Sequence, residues 1–345
     1  MFRPRLGLTS ALLGLVAALI PVIGAWAVED FDEGAIRQVQ HPEWFKDSFL
    51  NLRDDADEAR EAGKQGIFVF FSTQGCSYCH LFTETSLSDP LIVNRLQAHF
   101  DSIGLEIFSD DELTDFAGEQ TRVKTFALDQ GVQFAPTLLF FDLDGKPLLR
   151  LTGYYEPERF SAALDYLIGG HFRQLGLREY LAASQRPTQT EGLLADALFA
   201  DPPYSLDRSR VPAQRPLLVL FEAAACDRCK RFHDKVLRDR PTRERLASFD
   251  VVRLDAADAV TPVLTPAGER TNPKTWFDRF GFTEPPALVF FNETGKQVLA
   301  TDALVLRNRM NNSIGYVTER AYDKGWNYQR YARSQALKKA AGGVP

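Results

Sequence analysis

Short apolar runs alternate along this chain with segments of helical periodicity. The runs at 67–71 and 137–141 carry almost no polar residues, which predicts strands that are buried on both faces. A turn at Asp144 and Gly145 predicts that 147–151 returns as the hairpin partner of the second run. Helices are predicted at 44–64, 80–87, 90–100, 121–130 and 157–168, and a further strand at 102–108. This alternation is typical of an α/β domain.

The same elements return 150 residues later. Residues that are identical at this offset include Phe71 and Phe221, Pro136 and Pro286, Gly145 and Gly295, and Tyr166 and Tyr316. A constant offset over most of the chain indicates one domain encoded twice. The second copy is therefore predicted to have strands at 217–221, 251–254 and 287–291. We place the first domain at 28–184 and the second at 185–345, with 187–192 as the linker.

The composition indicates a soluble globular protein and excludes one class of partner. Of the 345 residues, 45% are apolar and 25% are charged, as in ordinary folded domains. The formal net charge is −6, and no stripe of Lys and Arg runs along the chain. Because nucleic-acid binding requires such a basic footprint, we expect no nucleic acid among the partners.

The N-terminus resembles a targeting segment. Arg3 and Arg5 precede an apolar stretch at 11–20, and Ala25-Trp26-Ala27 has the small residues of a cleavage site. These features predict a signal peptide at 1–27 that is removed after Ala27. The alternative is an uncleaved membrane anchor, since 6–28 is nearly long enough to span a bilayer. Export would place the thiols where disulfides form and persist.

The chain has four cysteines, arranged as two CxxC pairs: Cys76 with Cys79, and Cys226 with Cys229. Each pair follows a predicted buried strand and begins a predicted helix. The unpaired N–H groups and the dipole at a helix N-terminus favour an anion, so the first cysteine of each pair should be the reactive thiolate. We predict that Cys76 and Cys226 attack disulfides and that Cys79 and Cys229 resolve the mixed disulfide.

A proline lies 60 residues after the first cysteine of each pair, directly before a buried strand. Proline is excluded from sheet interiors, so we expect Pro136 and Pro286 to begin their strands and to follow cis bonds. The residues before them differ, because Ala135 has a backbone N–H and Pro285 has none. An extended substrate segment could bond to both polar groups of Ala135. We therefore predict that the first copy handles protein substrates and that the second exchanges electrons with a partner or with the first copy.

Taken together, the CxxC at a strand-to-helix junction, the distant proline and the following Gly turn resemble the thioredoxin superfamily. The sequences 70–76, 88–90, 115–119 and 152–154 are similar to exported bacterial thioredoxin-like proteins, a group that includes the C-terminal domain of the transmembrane electron-transfer protein. The resemblance covers both copies. It implies two tandem thioredoxin folds, each a central mixed sheet flanked by helices. It also implies that the CxxC pairs are redox-active, and that Ala135, Pro136, Pro285 and Pro286 face them and bind substrate.

Two departures from the thioredoxin pattern concern the surroundings of the cysteines. Thioredoxins usually carry a buried acid six residues before the first cysteine, where this chain has Phe70 and Leu220. They also carry a tryptophan directly before that cysteine, where Gly75 and Ala225 stand here. The missing acid affects the expected handling of protons at both sites.

Three other classes of function compete with this interpretation. Cys79 followed by His80 completes the C-x-x-C-H pattern of c-type haem attachment, but the second copy reads Cys229-Lys230 and the repeated proline has no role in a haem site. A zinc site formed by all four cysteines requires pairs in two copies of one fold to meet. A chaperone-like scaffold with incidental disulfides is the non-enzymatic class.

We interpret the chain as a periplasmic thiol–disulfide oxidoreductase without cofactor or metal. The resemblance favours reduction of disulfide-bearing exported proteins, with a membrane electron-transfer protein as the electron donor. Disulfide oxidation or isomerisation is the alternative direction, favoured by the absence of the buried acid.

Overall fold

A computed structural model of the chain describes residues 31–32, 35–184, 193, 196–202, 204 and 206–342. The predicted signal peptide at 1–27 and the predicted linker at 187–192 lie outside the described residues. Within the described part, none of the helices combines the length and the apolar character needed to cross a bilayer.

The first domain has a four-stranded mixed sheet with helices packed around it. Its strands are β1 (Gly66–Ser72), β2 (Phe100–Glu106), β3 (Glu112–Thr114), β4 (Gln120–Arg122), β5 (Thr137–Asp142) and β6 (Pro147–Thr152). Its helices are α1 (Leu52–Glu61), α2 (Ser77–Glu84), α3 (Pro90–His99), α4 (Val123–Asp129), α5 (Pro157–Ile168) and α6 (Leu177–Ser184). The sheet order is β2-β1-β5-β6, with β1 parallel to β2 and antiparallel to β5.

The second domain repeats this topology. Its strands are β7 (Leu217–Glu222), β8 (Asp250–Asp255), β9 (Val263–Leu264), β10 (Arg270–Thr271), β11 (Ala287–Phe291) and β12 (Gln297–Thr301). Its helices are α7 (Asp227–Phe232), α8 (Arg240–Leu246), α9 (Pro273–Arg279), α10 (Arg307–Thr318) and α11 (Tyr328–Ala340). The order β12-β11-β7-β8, with β7 parallel to β8 and antiparallel to β11, matches that of the first sheet.

The central strands confirm the prediction of buried apolar runs. Every residue of β1 and of β7 is buried, and β11 occupies the predicted residues 287–291. The cysteine helix α2 begins at Ser77, earlier than the predicted 80, because Cys76 itself caps it. The short hairpins β3–β4 and β9–β10 were not predicted, since pairs of two or three residues leave no periodicity in the sequence.

The two domains contact each other about an approximate two-fold axis. Gly153 of the first domain lies against Ala303 of the second, and these two positions correspond at the 150-residue offset. A Cβ placed on Gly153 would lie 2.5 Å from the Ala303 Cβ. Contact between equivalent residues is the mark of an isologous interface, in which one surface patch pairs with its own copy. Phe134 of the first domain also packs in the core of the second, with its ring centroid 4.8 Å from that of Tyr328.

Candidate redox sites

The first CxxC pair lies where β1 ends and α2 begins. Cys76 is the N-cap of α2, and its Sγ accepts a hydrogen bond from the Cys79 backbone N–H at 3.1 Å. The pair forms a disulfide with an S–S distance of 2.10 Å. Cys79 is fully buried and Cys76 is half-buried, so an incoming sulfur reaches Cys76 first. The attacking role of Cys76 and the resolving role of Cys79 stay a prediction.

The second pair has the same local arrangement at the junction of β7 and α7. Cys226 caps α7 and accepts the Cys229 N–H at 3.0 Å, and the two sulfurs are 2.00 Å apart. Cys229 is 3% exposed, whereas Cys226 is half-buried. The residue before the pair has a left-handed backbone in both domains, with φ of +82° at Gly75 and +53° at Ala225.

Both predicted prolines lie at the sites, and both follow cis peptide bonds as expected: Ala135–Pro136 and Pro285–Pro286. In the second site the Pro285 carbonyl oxygen is 3.8 Å from Cys226 Sγ. In the first, Ala135 and Cys76 line the same crevice. The Pro136 carbonyl oxygen accepts the Gly153 N–H at 2.7 Å, which ties this loop to the residues that follow β6.

Residues of the second domain cover the cis-proline loop of the first site. Arg309 of α10 donates from Nη2 to the Ala135 carbonyl oxygen at 3.2 Å, and Gln329 of α11 donates from Nε2 to the same oxygen at 3.5 Å. The Arg309 guanidinium also lies over the ring of Tyr78, inside the CxxC motif, at 3.8 Å from the centroid. Such a cation–π contact adds roughly 2 kcal/mol when it is shielded from water. The Ala135 carbonyl oxygen, which is predicted to bind substrate, thus accepts hydrogen bonds from two side chains of the second domain.

In the second site the corresponding carbonyl is bound from within its own domain. Arg228, at the position of Tyr78, donates from Nη1 to the Pro285 carbonyl oxygen at 3.1 Å and from Nη2 to the Asp302 backbone carbonyl oxygen at 3.0 Å. Burial, followed by the nearby charge of Arg159, lowers the pKa of Arg228 to about 9. Its side chain is 23% exposed, and the guanidinium stays charged at neutral pH. Burial likewise raises the pKa of Asp302.

The cavities beside Cys76 and Cys226 differ in volume. Cys226 opens into a cavity of about 950 Å³, whose wall includes Glu156 and Arg159 of the first domain and Glu284 and Leu306 of the second. Cys76 borders a crevice of about 70 Å³, lined on one side by residues of α10 and α11.

Comparisons with known proteins agree with this geometry. The model of the Thioredoxin-like domain family matches the chain twice, at residues 52–168 and 208–318, which together make up more than half of its length. The chain belongs to the thioredoxin-like domain family. The tandem form predicted from the repeat is thereby confirmed.

Solved structures resembling this thioredoxin-like chain show the fold alone. A thioredoxin-fold protein from Helicobacter pylori is 22% identical over 35% of this chain and 80% of its own, with a TM-score of 0.32. A thioredoxin from Thermus thermophilus is 19% identical over 39% of this chain and 88% of its own, with a TM-score of 0.28. The oxidised DsbD C-terminal domain of Neisseria meningitidis is 13% identical over 34% of this chain and 89% of its own, with a TM-score of 0.26. No curated protein matches the chain.

Each thioredoxin-like domain also has a polar pair at the end of its central strand, β1 or β7, that the sequence reasoning missed. Glu222, at the end of β7, is 1% exposed and lies 2.8 Å from His233 Nε2 through its Oε1. His233 follows α7, and its backbone N–H donates to the Cys229 carbonyl oxygen, so it lies one helical turn after Cys229. The repeat equivalent of Glu222 is Ser72, whose Oγ lies 2.9 Å from His41 Nε2. The sequence signal that could have revealed these pairs is the polar residue, Ser72 or Glu222, at the end of the buried apolar run in both copies.

These two thioredoxin-like sites support thiol–disulfide oxidoreductase chemistry. All four cysteines are paired within their own CxxC motifs, so the structure does not bring the pairs together as a zinc site requires. No cluster of three or more His, Cys, Asp or Glu side chains suited to a metal occurs in the part of the chain that the structure describes. His80 lies in α2, half-buried beside the first pair.

Proposed function

We propose that this chain is an exported, periplasmic oxidoreductase that reduces disulfide bonds of exported proteins, with electrons supplied by a membrane electron-transfer protein. The observation that carries the proposal is the difference in access within each pair. An accessible sulfur caps a helix, its partner sulfur is buried one turn further on, and a cis-proline loop lies alongside. This geometry suits attack by one thiolate followed by intramolecular resolution.

The reaction transfers two electrons from a CxxC dithiol to a substrate disulfide. In the second domain, the Cys226 thiolate attacks one substrate sulfur, which forms a mixed disulfide and releases the other substrate sulfur as a thiolate. The Cys229 thiolate then attacks Cys226 Sγ, which forms the intramolecular disulfide and releases the second substrate thiolate. The substrate is reduced, the pair is oxidised, and both released thiolates take protons from the solvent. The same order of attack and resolution applies to Cys76 and Cys79 with any disulfide that reaches the first site.

Two sequence features support the location and the direction. The basic, apolar and small-residue segments at 1–27 support export, and the likeness of 70–76 and 115–119 to exported reductive thioredoxins supports reduction. The alternative direction, oxidation or isomerisation, was favoured by the apolar residues at 70 and 220. Buried Glu222 weakens that argument for the second domain, because it supplies a carboxyl group at the last residue of β7.

The experiment is to measure the reduction potential of each pair against glutathione. Cys226→Ser with Cys229→Ser leaves the first pair alone, and Cys76→Ser with Cys79→Ser leaves the second. A reductase should give values near that of thioredoxin, roughly −270 mV, whereas values near roughly −120 mV would identify an oxidant. A scaffold would show no exchange with glutathione. Mass spectrometry of the protein from the periplasmic fraction tests export, since cleavage after Ala27 leaves Val28 as the first residue.

Limiting alkylation with iodoacetamide at mildly acidic pH tests the assigned roles of the reduced cysteines. Cys76 and Cys226 should react before Cys79 and Cys229, because they cap the helices and are accessible. Faster labelling of Cys79 or Cys229 would contradict the assignment.

A further inference from the structure

Two arginines at equivalent positions of the repeat lie in the domain interface. Arg159 is the third residue of α5 and Arg309 is the third residue of α10, and they correspond at the 150-residue offset. Each of them reaches across to the cis-proline loop of the other domain. Arg159 pairs with Glu284, the residue before Pro285, and Arg309 donates to the carbonyl oxygen of Ala135. The two contacts are related by the same approximate two-fold axis that brings Gly153 against Ala303.

The two arginines bind different groups of the two cis-proline loops. Position 284 is a glutamate, so its carboxylate holds the Arg159 guanidinium away from the Pro285 carbonyl, which Arg228 occupies instead. The equivalent position in the first domain is Phe134, which has no charge to intercept Arg309. Arg309 therefore reaches the loop backbone itself and continues over the Tyr78 ring.

This contact covers the edge along which an extended segment would align beside Cys76. The covering surface is the α10–α11 face, which we define as Arg309, Tyr328 and Gln329. Arg309 and Gln329 bond to the Ala135 oxygen, and Tyr328 packs on Phe134. Arg309 is 5% exposed, so it is enclosed between the domains rather than spread over an open surface. The crevice that remains, about 70 Å³, is far smaller than a peptide segment requires.

We propose that the α10–α11 face closes the first CxxC site to protein substrates and that protein disulfides are exchanged at Cys226, which opens into the larger cavity. This inference rests on the proposed function, and it reverses the division of labour expected from the N–H of Ala135. While the domains are docked, the first pair exchanges only with small thiols and disulfides. Arg309 is the specificity-determining residue, since it holds the α10–α11 face over the Cys76 crevice. The Pro285 carbonyl is bound by Arg228 of its own domain, and Cys226 still opens into the larger cavity.

The test compares the two pairs with a protein substrate and with a small one. Variants that retain a single CxxC pair are reduced and then mixed with insulin or with oxidised glutathione. The Cys226–Cys229 pair should reduce both substrates. The Cys76–Cys79 pair should reduce insulin at least about tenfold more slowly than the Cys226–Cys229 pair does. Adding Arg309→Ala to the Cys76–Cys79 variant should raise the insulin rate by about tenfold, as expected from losing a charged hydrogen bond that holds the closed state. The insulin rate divided by the glutathione rate of the same variant should rise by a similar factor, which separates access to the site from any change in the reactivity of the pair.

Arg307→Ala is the matched control. Arg307 is two residues earlier on α10, is 66% exposed and pairs with Asp239 of its own domain at 3.5 Å, so its loss should not change either rate. Labelling of the reduced, unsubstituted protein gives a second measurement that does not depend on how a variant folds. N-ethylmaleimide should label Cys76 and Cys226, whereas a polyethylene-glycol maleimide should label Cys226 at least about tenfold faster than Cys76.

Equal insulin rates for the two pairs would overturn the inference while leaving the oxidoreductase function intact. It would also be overturned by an Arg309→Ala variant that stays folded by circular dichroism and gains no insulin rate, or by equal labelling of the two cysteines with the bulky reagent. Failure of both pairs to reduce even glutathione would instead refute the proposed function.

Discussion

Gly153→Ala is the most direct test of the docked arrangement of the two domains. Gly153 is buried at the interface, with φ of +85°, and its N–H bonds to the Pro136 oxygen. The nearest atoms to an added methyl group all belong to the second domain: Ala303 Cβ at 2.5 Å, Ala303 Cα at 3.1 Å and Leu304 N at 3.5 Å. The substitution therefore acts on the interface between the domains.

Two effects contribute to the expected loss of stability, and a control separates them. An L-residue in a left-handed conformation costs about 1–2 kcal/mol, and forcing extra atoms into a packed contact costs about 1–3 kcal/mol more. Gly131 has a similar φ of +63° but no atom within 4 Å of its added Cβ. Gly131→Ala should therefore show only the backbone cost, and the difference between the two variants, about 1–3 kcal/mol, reports the interface.

Urea unfolding followed by circular dichroism measures this difference. A double-mutant cycle with Ala303→Gly sharpens it, since removing the Ala303 methyl moves the nearest contact from 2.5 to 3.1 Å and should restore part of the extra loss. Small-angle X-ray scattering should show a larger radius of gyration for Gly153→Ala than for Gly131→Ala. Equal stability and equal scattering for the two single variants would refute the docked arrangement.

Two further predictions concern the buried histidine pairs. Glu222→Leu should lower the unfolding free energy by about 1–3 kcal/mol, because it leaves the buried His233 ring nitrogen without its hydrogen-bond partner. Adding His233→Leu should recover part of that loss in urea unfolding, and a loss below about 1 kcal/mol for Glu222→Leu would contradict the role of the pair. Burial lowers the pKa of His41 in the folded protein, although the charge of Glu106 opposes this shift. Between the ordinary pKa of about 6.5 and the lower folded value, the unfolded chain therefore binds more protons than the folded protein. The unfolding free energy then falls as pH decreases through this window. His41→Phe should reduce this decline between pH 7.5 and 5.5, and an unchanged pH dependence would count against it.

The sequence predicted those elements whose structure depends mainly on their own residues. The apolar runs predicted β1, β5, β7 and β11 to within a residue or two, because strands buried on both faces exclude polar side chains. The cysteines and cis-prolines followed from chemistry with few structural alternatives. The helix bounds were less accurate where a cap decided them, as at Cys76.

The domain interface and the buried Glu222 could not be predicted in this way. Docking depends on side chains that belong to different copies, and an arginine on a closing helix such as Arg309 has the periodicity of an ordinary solvated residue. A charged residue at a strand end such as Glu222 also looks exposed, because its partner His233 comes from another element. In both cases the aligned repeat holds the only sequence signal: Arg159 with Arg309, and Ser72 with Glu222.

The isologous contact between two halves of one chain has a consequence for its strength. Two separate molecules would lose translational and rotational freedom on pairing, whereas covalently linked partners meet at an effective concentration on the order of millimolar. A patch too weak to hold free subunits together is then enough to keep tethered domains docked. Tethering therefore lets the α10–α11 face stay over the first site with less binding free energy than the same patch would need between two separate chains.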